Sequence, residues 1–345
     1  MSKMRVGFLL DDLVVSHYVA EIIKFVEDEK TFEGPVLITG YKNNSNTNFF
    51  KKIIKLFKKK PIKIIDKLLQ VIFLKLILKI ESSIVNKTFP NFDKKVDLLK
   101  NKKLEIIDVK GKWSKSGLFL DFEDDDISRI ISKNLDCIIR CGSGIIKGKI
   151  LNVPKHGIIS FHHGDNRVNR GGPSGFWEVL NEEASTGFII QRLNKELDGG
   201  EVLFRGNLMT KSLWLVNNAQ LLEKANFFLM RLLKDVSVKK SLPAPEGVRL
   251  HGNKLYKIDS SKILGKYIIK VLAPKVLRKF QHKFFSGKIT RWSVAYAAHN
   301  NFSKSLWRYH EVENPRGRFL ADPFVFSKGG NDFIFVEDFF WGCTR

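Results

Sequence analysis

The sequence predicts an α/β protein with an open, mainly parallel sheet and flanking helices, followed by an incomplete all-β segment. Over the first 245 residues, short apolar runs alternate with amphipathic stretches, the pattern of parallel strands joined by helices. Near the C-terminus, aromatic-rich stretches with strand character replace this alternation. Hydrophobic residues make up 43% and charged residues 28% of the 345, a composition that excludes a disordered or disulfide-scaffold chain.

The elements of the α/β part follow one another in a regular order. Residues 5–10, 17–27 and 36–39 read as strand, helix and strand. After a lysine-rich segment come a strand at 104–109, a helix at 125–133 with acidic residues in its first turn, a strand at 135–140 and a short helix at 147–151. A strand at 157–162, a helix at 174–182, strands at 185–192 and 201–205 and an amphipathic helix at 213–234 complete the series.

Changes in composition indicate three regions. Residues 1–245 form the α/β domain, with a basic amphipathic insertion at about 42–103, and a stretch with two prolines and a glycine at 241–247 ends it. Residues 246–290 read as a basic helical connector. Residues 291–345 contain short strands predicted at 292–297, 307–312, 322–326 and 332–337.

Charge is distributed unevenly along the chain. Lysine and arginine total 59 against 36 acidic residues, a net charge of +23 that favours nucleic acid, acidic lipid or a phosphorylated substrate, or reflects a lysine-rich proteome. Ten lysines and one aspartate lie between Phe50 and Ile80. Residues 62–80 predict a helix with one apolar stripe and lysines beside it: Ile65, Leu69, Ile72, Leu76 and Ile80, with Lys63, Lys67, Lys75 and Lys79. This helix either lies on an anionic membrane surface or is buried against its domain while its lysines reach water.

Cysteine usage and hydropathy indicate the compartment. The three cysteines Cys137, Cys141 and Cys343 form no CxxC motif, which favours a reducing compartment and gives no metal site. The apolar run at 6–10 is too short for a signal-peptide core, and no stretch reaches the roughly 18 apolar residues of a spanning helix. We therefore expect a cytoplasmic protein, peripheral to the membrane if the helix at 62–80 binds lipid.

The segment from 137 to 205 holds the residue types of an active site. His162 and His163 end a predicted strand, a loop with Arg167, Arg170 and glycines follows, and Asp198 lies in a later turn. Loops at strand ends of an α/β sheet are where ligands usually bind, and a histidine beside a carboxylate is an acid/base unit. A structural histidine that caps a loop is the alternative, and the residues alone do not establish that His162 and Asp198 meet.

Five short motifs in this segment carry a family resemblance. They are Pro154-Lys155-His156-Gly157, Ser160-Phe161-His162, Arg170-Gly171-Gly172-Pro173, Thr186-Gly187 and Leu197-Asp198-Gly199-Gly200-Glu201, and they follow the loop after the strand at 135–140. In this order and spacing they resemble the catalytic domain of formyltransferases that use 10-formyltetrahydrofolate, including methionyl-tRNA and sugar-amine formyltransferases. The resemblance covers residues 100–240 and extends plausibly back to residue 1.

The resemblance implies roles for particular residues. A substrate amine would attack the formyl carbon while His162 stabilises the oxyanion or shuttles the amine proton and Asp198 holds the imidazole. The pterin ring of the cosubstrate 10-formyltetrahydrofolate would be cradled by the loop of Cys141, Gly142, Ser143, Gly144, Ile145 and Ile146. The acceptor substrate would meet residues of the loop after the histidines: His163, Asn166, Arg170, Gly171 and Gly172. No metal is expected, and Gly7 stands alone, so no dinucleotide signature is present.

One catalytic position departs from the family pattern. Ser160 stands where the family has asparagine, and its side chain is shorter by an amide. His163 or Asn166 would then supply the missing donor. The departure leaves open a formyltransferase-like protein with changed or weakened activity.

The C-terminal residues carry a second resemblance. The stretches at 307–310, 315–324 and 333–338 resemble the opening blade of five-bladed propellers related to glycoside hydrolases. In the hydrolases an aspartate matching Asp322 helps catalysis, whereas the alternative is an Asp-Pro turn between aromatic strands. One blade cannot bury its own faces, so the chain is expected to be truncated at Arg345.

Together the two resemblances favour one function and leave two alternatives. The favoured function is formylation of an amino sugar or nucleotide-linked amino sugar in surface-glycan biosynthesis. Methionyl-tRNA formylation is the second interpretation, because phosphate contacts would use the positive charge, although nucleic acid is the less favoured partner. The third is a glycan-binding or scaffolding protein whose formyltransferase-like domain has lost activity.

Overall fold

Two compact units make up the chain, residues 1–275 and residues 276–345. The computed structural model describes residues 2–41, 61–100, 104–168, 170–196, 199–247, 255–284, 292–297 and 309–340. The first unit is a mixed α/β structure around a seven-stranded sheet, and the second contains antiparallel strand pairs. The predicted fold class and the strand-rich segment that follows it are confirmed.

The elements of the first unit alternate between strands and helices, as predicted. The strands are β1 Met4–Leu9, β2 Val14–Ser16, β3 Phe32–Thr39, β4 Lys95–Asp97, β5 Glu105–Asp108, β6 Lys112–Trp113, β7 Phe119–Asp121, β8 Cys137–Arg140, β9 Ile145–Ile146, β10 Ile158–His162, β11 Arg170–Gly171, β12 Ser185–Arg192, β13 Glu201–Met209 and β14 Leu255–Tyr256. The helices are α1 His17–Asp28, α2 Pro61–Thr88, α3 Asp124–Ile131, α4 Phe176–Asn181, α5 Trp214–Lys239 and α6 Ser261–Tyr267. A π-helical turn, Ile268–Leu272, leads into α7 Ala273–Phe284.

The central sheet has the strand order β13-β12-β10-β8-β1-β3-β5. The five strands from β10 to β5 in this order run parallel, while β12 and β13 are antiparallel to their neighbours. The carboxyl ends of the parallel strands therefore meet at one edge, where ligands bind in open α/β sheets.

Helices cover both faces of this sheet. On one face, Ile22 and Val26 of α1 and Leu229 and Leu233 of α5 join Val6 and other strand residues in a fully apolar cluster. On the other face, Ile127 and Ile130 of α3 pack with Ile138 and its neighbours. Strands buried on both sides explain why the sequence reads as continuous apolar runs at these positions rather than as alternation.

Several short strands were not predicted from the sequence. Strand β2 pairs with β4, β6 pairs with β7, β7 pairs with β9, and β11 pairs with β14. Each is two or three residues long, so no periodicity develops within it. Three of these pairs join distant parts of the sequence, as Arg170 and Leu255 do, whereas β6 and β7 are close in sequence.

Helix α2 confirms the predicted helix and extends it to Thr88. It packs against the domain, but of the predicted stripe only Ile80 takes part in that packing. Ile77, Glu81 and Val85 on its other side are completely buried, whereas Ile65 and Ile72 of the stripe are 59% and 49% exposed. Within the part of the chain that the structure describes, none of the helices has the length and hydropathy needed to cross a bilayer.

The inner side of α2 is held by buried polar contacts. The Glu81 carboxylate accepts hydrogen bonds from the Tyr267 hydroxyl and from the Leu215 amide at 2.7 Å, and the Trp214 amide donates to the Tyr267 hydroxyl at 2.8 Å. Burial raises the pKa of Glu81. Tyr267 and Glu81 thus accept hydrogen bonds from the first two amides of α5, which have no acceptor within the helix.

In the described residues of the second unit, the strands form two pairs. Strand β15, Val294–Tyr296, pairs with β16, His310–Val312, and β17, Arg318–Lys328, pairs with β18, Asn331–Phe340. Asp322 and Pro323 lie inside β17 at a break in register, where Asp322 has a φ of 48°. The expected Asp-Pro turn between strands is therefore wrong, because the turn of this hairpin lies at residues 329–330. The propeller resemblance stays a prediction, and its residues 307 and 308 lie outside the described residues.

Candidate functional site

The candidate site lies at the carboxyl edge of the sheet. Strand β1 is followed there by Asp11, β3 by Tyr41 and β8 by Cys141, and β10 ends at His162. These positions are neighbours because β3, β1, β8 and β10 are consecutive in the sheet. Residues from four separated parts of the sequence thus meet at one edge.

The loop after β8 is fixed by contacts within the chain. The Ser143 amide donates to both carboxylate oxygens of Asp11 at 2.8 Å, and the Cys141 and Ile145 amides bind the carbonyls of Leu9 and Leu118 at 3.0 and 2.8 Å. A side chain at Gly142 would collide with the Tyr41 hydroxyl and the Asp11 carboxylate. Only glycine therefore fits at this position without displacing its neighbours.

Three polar or ionisable side chains near this loop are poorly solvated. Burial, and then the charge of Asp11, raise the pKa of the Tyr41 hydroxyl, burial lowers the pKa of the Arg140 guanidinium, and burial raises the pKa of Cys141 to about 12. Arg140 donates through Nη2 to the Gly144 carbonyl. Among the described residues, three buried side-chain atoms have no hydrogen-bond partner: the Tyr41 hydroxyl and Arg140 Nε near this loop, and Thr31 Oγ1 just before β3. Such atoms are expensive to keep in a core and are common at functional sites.

A cavity of about 420 Å³ opens beside this loop. Its lining comes from the start of α1, the loop after β8, the end of β10, helix α5 and the segment before β4: Ser16, Tyr18, Val19, Ile22, Phe92, Asp93, Lys95, Arg140, Cys141, Gly142, Ser160, Phe161, His163, Leu222 and Asn226. Cationic, anionic and amide side chains thus share a cavity with aromatic rings. Its size and mixed lining suit a polar small molecule.

Strand β10 carries the predicted catalytic residues to this edge. Ser160 is 3% exposed, and its hydroxyl donates to the Phe161 carbonyl at 3.1 Å. His162 is partly buried at the last position of the strand, opposite Ile189 of β12. Side chains alternate along a strand, so Ser160 and His162 share one face and Phe161 and His163 the other.

Of the residues at this strand end, Ser160, Phe161 and His163 line the cavity and His162 does not. The His163 ring stacks on Phe161 with centroids 5.2 Å apart. Burial, with a smaller contribution from His162, lowers the pKa of His163 to about 4. At neutral pH the ring is therefore uncharged and can both donate and accept a hydrogen bond.

Asp198, the predicted partner of His162, lies outside the described residues, as does Leu197. The loop that contains it leaves the sheet where Leu193 donates to the Ile158 carbonyl at 2.8 Å, at the opposite end of β10 from His162. From Ile158 to His162 the strand rises by four residues, so its two ends are roughly 13 Å apart. Within this loop, the side-chain amide of Asn194 donates to the Gly199 carbonyl at 2.6 Å. The contact between His162 and Asp198 stays a prediction.

The loop after His163 is braced by charges that sequence reasoning missed. Asp165 is 4% exposed and accepts from Arg167 Nη2 at 2.7 Å and from Arg205 Nη1 at 2.5 Å. Although burial opposes it, the two arginines lower the pKa of Asp165. The Arg205 guanidinium also bonds to Glu246 at 2.8 Å and to Asn166 Oδ1 at 3.0 Å. Asn166, a predicted substrate residue, is therefore tied into this brace and is 8% exposed.

The other predicted substrate residues pair with a distant strand. Arg170 and Gly171 form β11 beside β14, and the Gly172 amide donates to the Tyr256 carbonyl at 3.2 Å. Gly171 has a φ of 114°, and a side chain there would overlap the Tyr256 carbonyl. Likewise, a Cβ at Gly187 would lie 2.6 Å from Asp165 Cβ. These motif glycines are required by close packing around the loop.

Comparison with known proteins gives one partial sequence match. No model of a protein family matches the chain. A stretch of 101 residues is 34% identical to the methionyl-tRNA formyltransferase of Ureaplasma parvum serovar 3. The match covers 27% of this chain and 33% of that enzyme, so the chain spans about a third of the length of the curated relative it matches.

Comparison of structures returns formyltransferases at low similarity. A sugar N-formyltransferase from a Shewanella species is 12% identical, with 77% of this chain and 88% of that chain covered and a TM-score of 0.40. A 4-N formyltransferase from Francisella tularensis is 13% identical, with 76% of this chain and 86% of that chain covered and a TM-score of 0.42. Glycinamide ribonucleotide transformylase 1 from Symbiobacterium toebii is 9% identical, with 72% of this chain and 94% of that chain covered and a TM-score of 0.45.

Proposed function

We propose that this protein transfers a formyl group from 10-formyltetrahydrofolate to the primary amine of an amino sugar or nucleotide-linked amino sugar. The observation that carries the proposal is the convergence of two sequence motifs at one cavity. Residues of the loop predicted to hold the pterin, Cys141 and Gly142, and residues of the predicted catalytic strand, Ser160 and His163, line the same space. The partial match to a methionyl-tRNA formyltransferase supports the reaction class.

Of the loop predicted to hold the pterin, Cys141 and Gly142 line the cavity, whereas Ile145 and Ile146 form β9 and pair with β7. The path of the loop is fixed by the bonds of Cys141, Ser143 and Ile145, and the side chain of Ile146 is buried in the core at 4% exposure. What the loop offers a ligand is therefore mainly its remaining peptide groups, which suit the uncharged polar edge of a pterin. When bound, 10-formyltetrahydrofolate supplies an acyl carbon to which an amine adds.

The chain's own residues would position the acceptor and move its proton. His162 ends β10 and does not line the cavity, so its imidazole would accept the amine proton only from an acceptor that reaches past the cavity to the end of this strand. Neutral His163 adds no positive charge beside that amine. Asp93, Lys95 and Asn226 line the same cavity and would bind the hydroxyl or phosphate groups of a sugar derivative.

Ser160 takes only part of the role that asparagine has in the family pattern. Its hydroxyl proton is used by the Phe161 carbonyl, so the group must rotate before it could donate to a formyl oxygen. This geometry favours His162 as the main stabilising group and makes the third interpretation, a protein without activity, testable by assay.

The experiment is an assay of tetrahydrofolate release from 10-formyltetrahydrofolate with a panel of nucleotide-linked amino sugars. We expect turnover with at least one amine, and a fall in kcat/KM of about 100-fold or more for His162→Asn. His156→Gln is the matched control, because His156 precedes the opposite end of β10. Absence of turnover with every amine tested would contradict the proposal.

A second candidate function, formylation of methionyl-tRNA, is favoured by the net charge of +23 and by the name of the matched relative. The same assay with charged initiator tRNA as acceptor distinguishes the two. Turnover with tRNA alone would assign this second function.

A further inference from the structure

The outward side of α2 carries a continuous row of large apolar side chains. It consists of Ile65, Leu68, Leu69, Ile72 and Leu76, each between 36% and 59% exposed. Their spacing of three and four residues places them on one helix face over about three turns. We call this set the outer stripe. Exposed apolar residues that occur singly are ordinary, but a continuous row of this kind marks an interaction surface.

The helix cannot turn the outer stripe inward without losing its attachment. Its opposite side holds Glu81, which is fully buried and bonded to Tyr267 and to the start of α5. Near its first turn, Asp66 accepts bonds from the Ser261 hydroxyl and amide at 2.6 and 2.9 Å. Rotation would leave Glu81 and its partners unpaired in the interior, which is costly, and would break the bonds of Asp66. The outward direction of the stripe is therefore fixed by the fold.

The exposed charges around the stripe are positive. Lys75 and Lys79 flank the stripe and are exposed, whereas Lys63 and Lys67, also exposed, lie on the opposite side of the helix. The acidic residues of the same described stretch point elsewhere, since Asp66 is bonded to Ser261 and Gln70, and Glu81 is buried. Six further lysines occur among residues 51–60 of the sequence. The charge complements an anionic partner.

We propose that the outer stripe binds the surface of an anionic lipid bilayer, with α2 lying in the plane of the interface. Aliphatic side chains that enter the boundary between headgroups and acyl chains, flanked by lysines that reach anionic headgroups, are the pattern of interfacial helices. A second copy of this chain is the less favoured occupant, because it would bring like-charged lysines together. This proposal does not depend on the proposed formyl transfer.

The test is co-sedimentation of the full chain with vesicles of phosphatidylcholine, alone or with about 30% phosphatidylglycerol. We expect binding to the anionic vesicles only, and weakening as the salt concentration rises. Lys75→Gln/Lys79→Gln should weaken binding about 25-fold, since each lysine near such a surface contributes about fivefold, whereas Lys67→Gln, on the opposite side of the helix, should change binding little. Ile65→Ser/Leu68→Ser/Ile72→Ser should weaken it tenfold or more.

A matched variant separates the stripe from general surface hydrophobicity. Met209→Ser/Phe227→Ser/Val238→Ser changes three apolar residues of β13 and α5 that are 72%, 53% and 58% exposed, and should leave vesicle binding unchanged. Thermal unfolding of every variant shows whether it is folded. Equal binding to neutral vesicles, or unchanged binding of the stripe variant, would overturn the proposal. A fall in molecular mass by light scattering in the stripe variant, with vesicle binding unchanged, would assign the stripe to a second copy of this chain.

Discussion

Two regions of the first unit differ in how their buried polar groups are paired. Where α2 packs against the start of α5, Glu81, Tyr267 and the first amides of α5 are all hydrogen-bonded within one cluster. At the carboxyl edge of the sheet, Tyr41 and Arg140 keep buried polar atoms without partners, among the described atoms. Since an unpaired buried polar group costs about 1–3 kcal/mol, the first arrangement stabilises the fold and the second is kept at its expense.

The hydrogen bonding of buried polar groups thus distinguishes a cluster that stabilises the fold from a site that can bind a ligand. A closed set of hydrogen bonds needs nothing further, whereas incomplete sets beside a cavity can be completed by a ligand. Substitutions at four positions follow from this comparison, in order of decreasing expected effect.

Replacement of Glu81 should be the most damaging. Glu81→Ala leaves the Tyr267 hydroxyl and the Leu215 amide without their acceptor in a buried site, so we expect the free energy of unfolding to fall by about 3 kcal/mol or more. Glu81→Gln retains an acceptor and should cost less. Urea denaturation measures both, with Glu183→Ala at an exposed position as the control. Equal stability of Glu81→Ala and the wild type would show that this cluster contributes nothing.

His163 should make stability depend on pH. Above pH 6.5 the ring is neutral in the folded and the unfolded chain, but between pH 6.5 and about 4 only the unfolded chain binds the proton. The free energy of unfolding therefore falls as the pH falls through this interval, by up to about 3 kcal/mol from this residue. In His163→Gln that contribution disappears, and urea denaturation from pH 7 to pH 4.5 should show a shallower decline. An identical decline in both proteins would contradict the assignment.

Gly142 tests the close packing of the loop after β8. In Gly142→Ala the new methyl group would collide with the Tyr41 hydroxyl and the Asp11 carboxylate, and we expect a loss of about 1–3 kcal/mol in the free energy of unfolding. Gly265→Ala is the control, because the nearest atom to its new methyl group is Phe73 Cε2 at 3.6 Å and alanine favours the helix. A thermal melt of Gly142→Ala that matches the wild type would show that the loop shifts to accommodate the methyl group.

Ser160 should have the smallest effect. Its hydroxyl donates to the Phe161 carbonyl of its own strand, so Ser160→Ala should cost less than about 1.5 kcal/mol in stability and less than tenfold in formyl-transfer rate. A 100-fold loss of rate with intact folding would instead place the hydroxyl on the reacting oxygen. Kinetics and denaturation of the same variant distinguish these results.

Local sequence pattern predicted most of the fold for identifiable physical reasons. Apolar runs such as 137–140 produce strands buried on both faces, and three- and four-residue spacing produces α1 and α5. The same logic brought Cys141 and Ser160 to one cavity, because carboxyl ends of parallel strands share an edge.

What the sequence did not predict depends on contacts between distant residues. Asp165 meets Arg205 across 40 positions, and Glu81 meets Leu215 across 134. No local periodicity reports such pairs. The helix at 62–80 was predicted, but it has apolar residues on both sides, so its pattern could not show that Ile77 faces inward and Ile72 outward.

Strands β3 and β5 are hydrogen-bonded neighbours, although roughly 65 residues of chain connect them. The cost of closing a connection rises only with the logarithm of its length, so the sheet places almost no limit on what this crossover contains. Evolution can therefore lengthen or exchange the segment between Thr39 and Glu105 while the pairing of these strands stays intact. The crossover is a natural point at which this scaffold can acquire or lose an attachment to another surface.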